Sequence, residues 1–164
     1  MKRFVVAIAC AAVLGSSAGC GRGERASTGL VKVGDHSWAV VAGGPTFAEG
    51  LGANSGFVVG RDGVAVIDSR LTPVLARELL DHIRTVTAAP IRFVINTHYH
   101  QDHAWGNSVF KDEGAAVVAT AETRDAFVKY SPIYLDFYRA RGGRDSALAG
   151  DVRLVPPDSI FAGE

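Results

Sequence analysis

A cluster of three histidines and one aspartate constrains this chain more than any other sequence feature. His98-Tyr99-His100-Gln101-Asp102-His103 follows the apolar run 91–95, which is rich in β-branched and aromatic residues and predicts a buried strand. The histidines therefore leave the C-terminal end of that strand, where α/β proteins commonly bind ligands. Zinc prefers imidazole and carboxylate ligands, although iron, manganese and nickel also accept them. The pattern predicts a metal site.

The spacing of these residues suggests how they divide between cations. Residues two apart in an extended segment point the same way, so we expect His98 and His100 to bind one cation. Asp102 and His103 must then turn toward a second cation. Two alternatives stay open: a single metal bound by His98, His100 and one later ligand, or an accidental cluster on a surface loop. A metal site is favoured over accident because most of the five histidines fall in this one loop.

Residues 97–103, continued by Gly106-Asn107, resemble the signature of the metallo-β-lactamase fold superfamily. The likeness extends upstream to residues 64–69, which resemble the family's strand ending in an aspartate. Downstream, residues 117–120 and 123–125 resemble the next strand and helix start. The resemblance implies an α/β fold, the αββα sandwich in which two sheets pack face to face with helices outside. The N-terminal half of that sandwich is present.

The resemblance also implies chemistry. It implies two zinc ions per complete domain, the first bound by His98 and His100 and the second by Asp102 and His103, with Asp102 also orienting the attacking water. Activity is expected to require the C-terminal half of the domain. The expected reaction is hydrolysis of an ester, lactone, thioester, β-lactam or related bond in a small-molecule substrate. Histidine at position 103, where the best-known zinc β-lactamases carry arginine, resembles the broader hydrolase branch. Histidine at position 100, where oxygen-reducing di-iron relatives carry glutamate, favours hydrolysis. A non-catalytic metal-binding or scaffold lipoprotein is the alternative.

Further residues are expected to support the metal ligands through hydrogen bonds. The resemblance implies this role for Asp68, Thr97 and Asn107. Asp68 could instead cap the next helix, with Thr72-Pro73 as a rival cap and first-turn proline.

The first 20 residues indicate a secretory signal, with Lys2-Arg3, the apolar stretch 4–14 and the small residues 16–20. Ser17-Ala18-Gly19-Cys20 resembles a bacterial lipobox, in which the cysteine is lipidated, and cleavage after Ala18 is the competing interpretation. Lipidation predicts an exported, periplasmic bacterial protein attached to the membrane through Cys20. Cys20→Ser should then release the protein from membranes or block its maturation. Residues 21–29 are polar and glycine-rich and predict a flexible tether.

Residues 30–164 are enough for one domain with a sizeable core. Lys plus Arg equals Asp plus Glu at 17 each, which gives no sign of a nucleic-acid-binding patch. Nothing in the sequence indicates an oligomeric state. No histidine follows His103, whereas relatives supply further ligands downstream. We therefore expect the chain to be the N-terminal part of a longer protein, with strands 53–59 and 91–95 presenting apolar faces that lack partners.

Local patterns predict the order of elements. Two hairpins are expected, 30–33 with 38–41 and 53–59 with 64–68, and the latter turns at Asp62-Gly63. The remaining expectations are a helix over 74–86, the strand 91–95, a short helix over 104–110, a strand over 115–119, a helix over 121–130 capped by Thr120, a second helical stretch after Pro132, and a strand over 151–155. The apolar residues Ile133, Leu135, Phe137 and Tyr138 are expected in the core, with a substrate lid as the alternative.

Overall fold

The structure is a computed structural model that describes residues 29–42 and 53–161. The predicted secretory signal, the lipidation site Cys20 and most of the predicted tether lie outside the described residues. Gly29, placed in the tether by its composition, begins the first strand instead. Within the described ranges, no helix has the length and apolar character needed to cross a membrane.

The described residues form one mixed seven-stranded sheet whose strands follow one another in chain order. The first four strands are antiparallel neighbours, and the fourth to seventh are parallel. Both predicted hairpins are confirmed, as is the mixed α/β fold class. The strands are β1 (Gly29–Gly34), β2 (Ser37–Val41), β3 (Ser55–Gly60), β4 (Gly63–Ile67), β5 (Ile91–Ile95), β6 (Ala116–Thr120) and β7 (Ser159–Phe161).

Five helices connect or follow these strands: α1 (Pro73–Val86), α2 (Gln101–Ala104), α3 (Asn107–Asp112), α4 (Ala121–Arg141) and α5 (Gly143–Gly150). The hydroxyl of Thr72 caps α1 by accepting a hydrogen bond from Leu75 N at 3.2 Å. Thr120 caps α4 in the same way through Thr123 N, also at 3.2 Å. Asp68 is therefore not the cap of α1.

Three predictions from local patterns are wrong. The segment 104–110 contains the end of α2 and most of α3, not one helix. Pro132 does not interrupt α4, because packing of the buried residues Phe127 and Leu135 outweighs the lost hydrogen bond. Residues 151–155 form no strand. The last strand begins only at Ser159, since Pro156 and Pro157 cannot donate to a ladder.

The prediction of core positions on α4 is partly wrong as well. Leu135 is 6% exposed and belongs to the core, and Tyr138 packs against it in part. Ile133 and Phe137 are 62% and 53% exposed. They lie on the solvent side of a helix that buries only one stripe.

The two faces of the sheet differ in how they are covered. One face packs against α1 and α3 and forms the main core around Phe57, Val66, Val94, Leu79 and Phe110. The opposite face is apolar and open, as expected for β3 and β5, with Val58 at 40% and Phe93 at 48% exposure. A smaller second core gathers under α4 and α5: Leu71, Leu75, Ala104, Trp105, Phe127, Leu135, Ala149 and Val152.

Candidate metal centre

The site lies where β4 and β5 end. These strands are parallel neighbours, so the residues that follow them emerge at the same edge of the sheet. Asp68 leaves β4 with φ 59° and donates its backbone N–H to Ile95 O at 2.9 Å. Aspartate tolerates this left-handed backbone better than most residues. The turn directs its carboxylate at the loop that follows β5.

The carboxylate of Asp68 accepts three hydrogen bonds from that loop. Its Oδ1 accepts from Thr97 N, and its Oδ2 accepts from Thr97 Oγ1 and from His103 Nδ1, each at 2.8 Å. Burial alone would lower the pKa of His103. The hydrogen bond to Asp68 and the charges of Asp68 and Asp102 outweigh that effect, so the pKa of His103 lies above its ordinary value.

These contacts assign the protons on two histidine rings. An ionised carboxylate only accepts, so His103 Nδ1 carries the proton, and in the neutral ring its Nε2 keeps a lone pair. Thr97 Oγ1 gives its single proton to Asp68 and lies 3.0 Å from His98 Nδ1, so that nitrogen must donate to Thr97. His98 Nε2 therefore also keeps a lone pair. Burial, and then the charges of His103 and His100, lower the pKa of His98.

The four predicted ligands lie together on one loop. The ring centroids of His98 and His103 are 3.9 Å apart, and those of His98 and His100 are 4.8 Å apart. Asp102 Oδ2 is 3.5 Å from His103 Nε2. The donor types suit zinc. Across residues 29–42 and 53–161, however, no three His, Cys, Asp or Glu side chains are arranged to hold one ion, so the described residues fit zinc in kind but do not form a complete shell.

A second set of hydrogen bonds fixes the backbone of this loop. The carbonyl oxygen of His103 accepts from Ser69 N at 2.7 Å, Ser69 Oγ at 3.2 Å and Asn96 Nδ2 at 3.2 Å. Asn96 and Asn107 exchange reciprocal amide hydrogen bonds of 3.0 and 2.8 Å, and Asn107 Nδ2 also donates to Val155 O at 2.9 Å. Sequence reasoning named Asn107 but missed Ser69 and Asn96. Their positions directly after β4 and β5 were the available signal.

Gly106 brings the loop against the segment that follows β4. Its N–H donates to Arg70 O at 3.0 Å. A Cβ atom at this position would lie 2.0 Å from Ser69 O and 2.7 Å from Ala76 Cβ. Only glycine fits such an approach, which explains physically why Gly106-Asn107 continues the motif.

Arg70 is the residue that sequence reasoning missed most completely. It is 1% exposed at φ 76°, and burial lowers the pKa of its guanidinium against an opposing effect of Glu78. In the described part of the chain, its Nε, Nη1 and Nη2 atoms have no hydrogen-bond partner, and neither has the buried Nε1 of Trp105. No sequence pattern distinguishes Arg70 from a solvent-exposed arginine.

The open side of the loop meets an aromatic surface. The Tyr99 ring lies 4.7 Å from the His100 ring and 5.5 Å from the Tyr130 ring. Partial burial, and then the phenols of Tyr134 and Tyr130, raise the pKa of Tyr99.

Comparisons with known proteins agree with this geometry. In sequence, the chain is 32% identical to the metallo-beta-lactamase IND-1 of Chryseobacterium indologenes over 77 residues, which are 47% of this chain and 32% of that protein. Similar solved structures include a metallo-beta-lactamase from Pontibacter korlensis, with a TM-score of 0.60 and 19% identity over 82% of this chain and 53% of that one.

Two further solved structures are similar to the same extent. One is a metallo beta lactamase from Hirschia baltica, with a TM-score of 0.56 and 18% identity over 81% of this chain and 51% of that one. The other is from Erythrobacter litoralis, with a TM-score of 0.57 and 17% identity over 82% and 50%. Identities this low show the fold alone. The chain spans about half the length of these structures.

A family profile gives a further match. The profile described as the metallo-beta-lactamase superfamily matches residues 48–163, more than half of the chain, and covers Asp68, the histidine loop and Asn107. Seen together with the parallel strand ends and the histidine loop between them, this match shows that the chain belongs to the metallo-β-lactamase superfamily.

Proposed function

We propose that this protein is a zinc-dependent hydrolase in which His98, His100, Asp102 and His103 are metal ligands. One observation carries the proposal: Asp68 fixes the tautomer of His103 directly and that of His98 through Thr97. A carboxylate hydrogen-bonded to the far nitrogen of a histidine is the usual support of a metal-bound imidazole, because it sets the ring orientation and raises the basicity of the ligating nitrogen. Membership in a family of typically hydrolytic proteins points the same way.

The roles of the residues follow from their positions. His98 and His100 would hold a first zinc, and Asp102 and His103 a second. Zinc in such a site polarises the oxygen of the scissile bond and lowers the pKa of water. Asp102 would accept a hydrogen bond from the attacking water and orient it. Asp68 and Thr97 contact the proposed ligands directly, and Asn107 holds Asn96, which donates to the His103 carbonyl, so the three would keep the loop in position.

The substrate proposal remains broad. An ester, lactone, thioester, β-lactam or related bond suits the chemistry, and the relatives found in the comparisons carry β-lactamase names. The pattern of a secretory signal in residues 1–20 supports the further proposal that the protein is exported to the periplasm and attached to the membrane through Cys20.

One observation favours a rival function. Since the described residues supply no complete ligand shell, a metal-binding or scaffold protein without turnover is the second candidate. Bound metal without hydrolysis would identify it.

The test combines metal content with turnover. A chain of the full length of the similar structures should contain about two zinc ions by elemental analysis, the number of cations in a two-metal hydrolytic site. His100→Ala should lose at least one, because removing an imidazole leaves an incomplete shell. His36→Ala is the matched control, since His36 lies exposed in the β1–β2 turn. Hydrolysis is then assayed on a panel of esters, thioesters, lactones and β-lactams.

The outcomes separate the candidates. Zinc and turnover that are both lost in His100→Ala and both kept in His36→Ala support the hydrolase. Equal zinc in the parent and in His100→Ala contradicts the ligand assignment.

A further inference from the structure

All four tyrosines of the chain lie on one surface beside the histidine loop. Tyr130, Tyr134 and Tyr138 follow at four-residue intervals on α4, so they form a row along one side of that helix. Eight residues of helix span roughly 12 Å. Tyr99, from the histidine loop, packs against this row. We call the four residues the tyrosine wall.

The wall joins the candidate metal centre directly. Tyr99 stands between His98 and His100 in sequence, and its ring lies 4.7 Å from the His100 ring and 5.5 Å from the Tyr130 ring. At the other end of the row, Gln101 Nε2 donates to the Tyr138 hydroxyl at 3.4 Å. A small molecule whose scissile bond lies at His100 would thus have its adjacent group against the wall.

The wall does more than complete the core. Tyr99, Tyr134 and Tyr138 rest on the second core, yet every member stays partly exposed. Aliphatic residues would cover that core equally well. Tyrosine adds a π face for stacking and a polar tip that tolerates water. Lys129 Nζ, 4.9 Å from the Tyr130 centroid, makes a cation–π contact with one of these rings.

We propose that the tyrosine wall is a specificity surface that receives a flat aromatic substituent on the acyl group whose carbonyl is attacked. This rests on the proposed function, because it takes His100 to lie at the reacting centre. The four members of the wall bring aromatic faces and hydroxyl groups and no acidic or basic side chain, which favours a neutral aromatic group. Aromatic stacking adds to affinity beyond buried area, and it distinguishes a flat ring from a saturated ring of similar size.

The experiment measures binding without requiring turnover. The full chain is labelled with 13C in its tyrosine rings, which gives four signals, each assigned with one Tyr→Phe variant. It is titrated with phenylacetamide and, as the matched saturated probe, cyclohexylacetamide, with and without added zinc. We expect phenylacetamide to move the Tyr99, Tyr130 and Tyr134 signals and to bind about fivefold more tightly than cyclohexylacetamide.

Two variants locate the effect. Tyr130→Leu should remove the preference, whereas Phe137→Leu, which removes an exposed ring from the same helix, should retain it. Tyr130→Phe keeps the ring and should keep the preference, which separates stacking from the hydroxyl and from misfolding. Tyrosine signals that do not respond to phenylacetamide in the parent, or equal binding of the two probes, would overturn the proposal.

Failure of the hydrolase proposal gives a different pattern. If the protein hydrolyses nothing but still prefers phenylacetamide, the proposal for the tyrosine wall is supported and the hydrolase proposal is contradicted. The opposite result is hydrolysis of phenylacetyl and cyclohexylacetyl thioesters of one thiol at equal rates, with tyrosine signals that do not respond. It supports the hydrolase proposal and contradicts the proposal for the tyrosine wall.

Discussion

The histidine loop has two sides that differ in how completely they are held. On its closed side, Asp68, Ser69, Asn96 and Asn107 make hydrogen bonds to the loop or to one another, and the His103 carbonyl alone accepts three. On its open side, the His100 side chain is exposed, and the contacts described above for it are those with the rings of His98 and Tyr99.

This difference shows how one short segment serves two purposes. The closed side fixes the backbone and the ring protons before any ligand arrives, and such preorganisation lowers the cost of binding. The open side exposes His100 beside the tyrosine wall. Substitutions on the closed side should therefore reduce stability, whereas those on the open side should reduce ligand binding with little effect on folding.

The largest effect is expected from filling the closest approach on the closed side. Gly106→Ala places a methyl group 2.0 Å from Ser69 O, so either the loop or the segment after β4 must move. We expect a loss of about 4 kcal/mol in the free energy of unfolding, at the severe end for single substitutions. Urea unfolding measures it.

Gly150→Ala is the matched control for that substitution. Nothing lies within 4 Å of the Cβ position there, and the change should stay within about 0.5 kcal/mol. Equal stability of the two variants would mean that the closed side is not tightly packed.

A smaller loss is expected when the carboxylate that organises the loop is removed. Asp68→Ala leaves His103 Nδ1 and both donors of Thr97 without their acceptor and places alanine at φ 59°. We expect a loss of about 3 kcal/mol by urea unfolding. Asp68→Asn keeps the backbone preference and one acceptor, so it should fall between parent and alanine variant.

The surface aspartate Asp62 tests whether this loss is specific. Its side chain is 76% exposed in the β3–β4 turn, so Asp62→Ala should change stability by less than about 0.5 kcal/mol. A similar value for Asp68→Ala would remove the distinction between the two sides.

Sequence reasoning singled out the histidines of the open side but only part of the closed side. The histidines are recognisable because they are neighbours in sequence and follow an apolar strand. Asn96 and Asn107 are 11 residues apart, and Ser69 and His103 are 34 apart. Such pairings depend on which strands lie side by side, and residue type alone does not give that information. Asp68 and Asn107 were available only through the family resemblance.

The fold shows the same limit. Period-two and helical patterns predicted β1 to β6 and α1, because each element's own residues decide which face is buried. Around Pro132 the local signal favoured a break, but the buried residues Phe127 and Leu135 keep α4 continuous. Tertiary packing outweighed local propensity there. Arg70 is a similar case, since its burial depends entirely on its neighbours.

The smallest effect separates the two sides by pH. His103 belongs to the closed side, where Asp68 and Asp102 raise its pKa despite burial. His98 reaches the open side, and burial followed by the charges of His103 and His100 lowers its pKa. The two rings are therefore expected to titrate on opposite sides of the ordinary histidine value of about 6.5.

In chelator-treated protein, the two shifts act on stability in opposite directions. The folded state binds the His103 proton more tightly than the unfolded state, so this contribution is fully present below pH of about 6.5 and is lost as pH rises through the folded pKa. His98 behaves inversely: its contribution is present above pH of about 6.5 and is lost as pH falls through its lowered folded pKa. Urea unfolding is measured over a pH range that includes both folded pKa values. The free energy of unfolding should decline toward alkaline pH, which His103→Gln abolishes, and toward acid pH, which His98→Gln abolishes. Imidazole NMR titration supplies the direct reading, and superimposed titration curves for the two rings would show that the carboxylate of Asp68 does not distinguish the closed side from the open one.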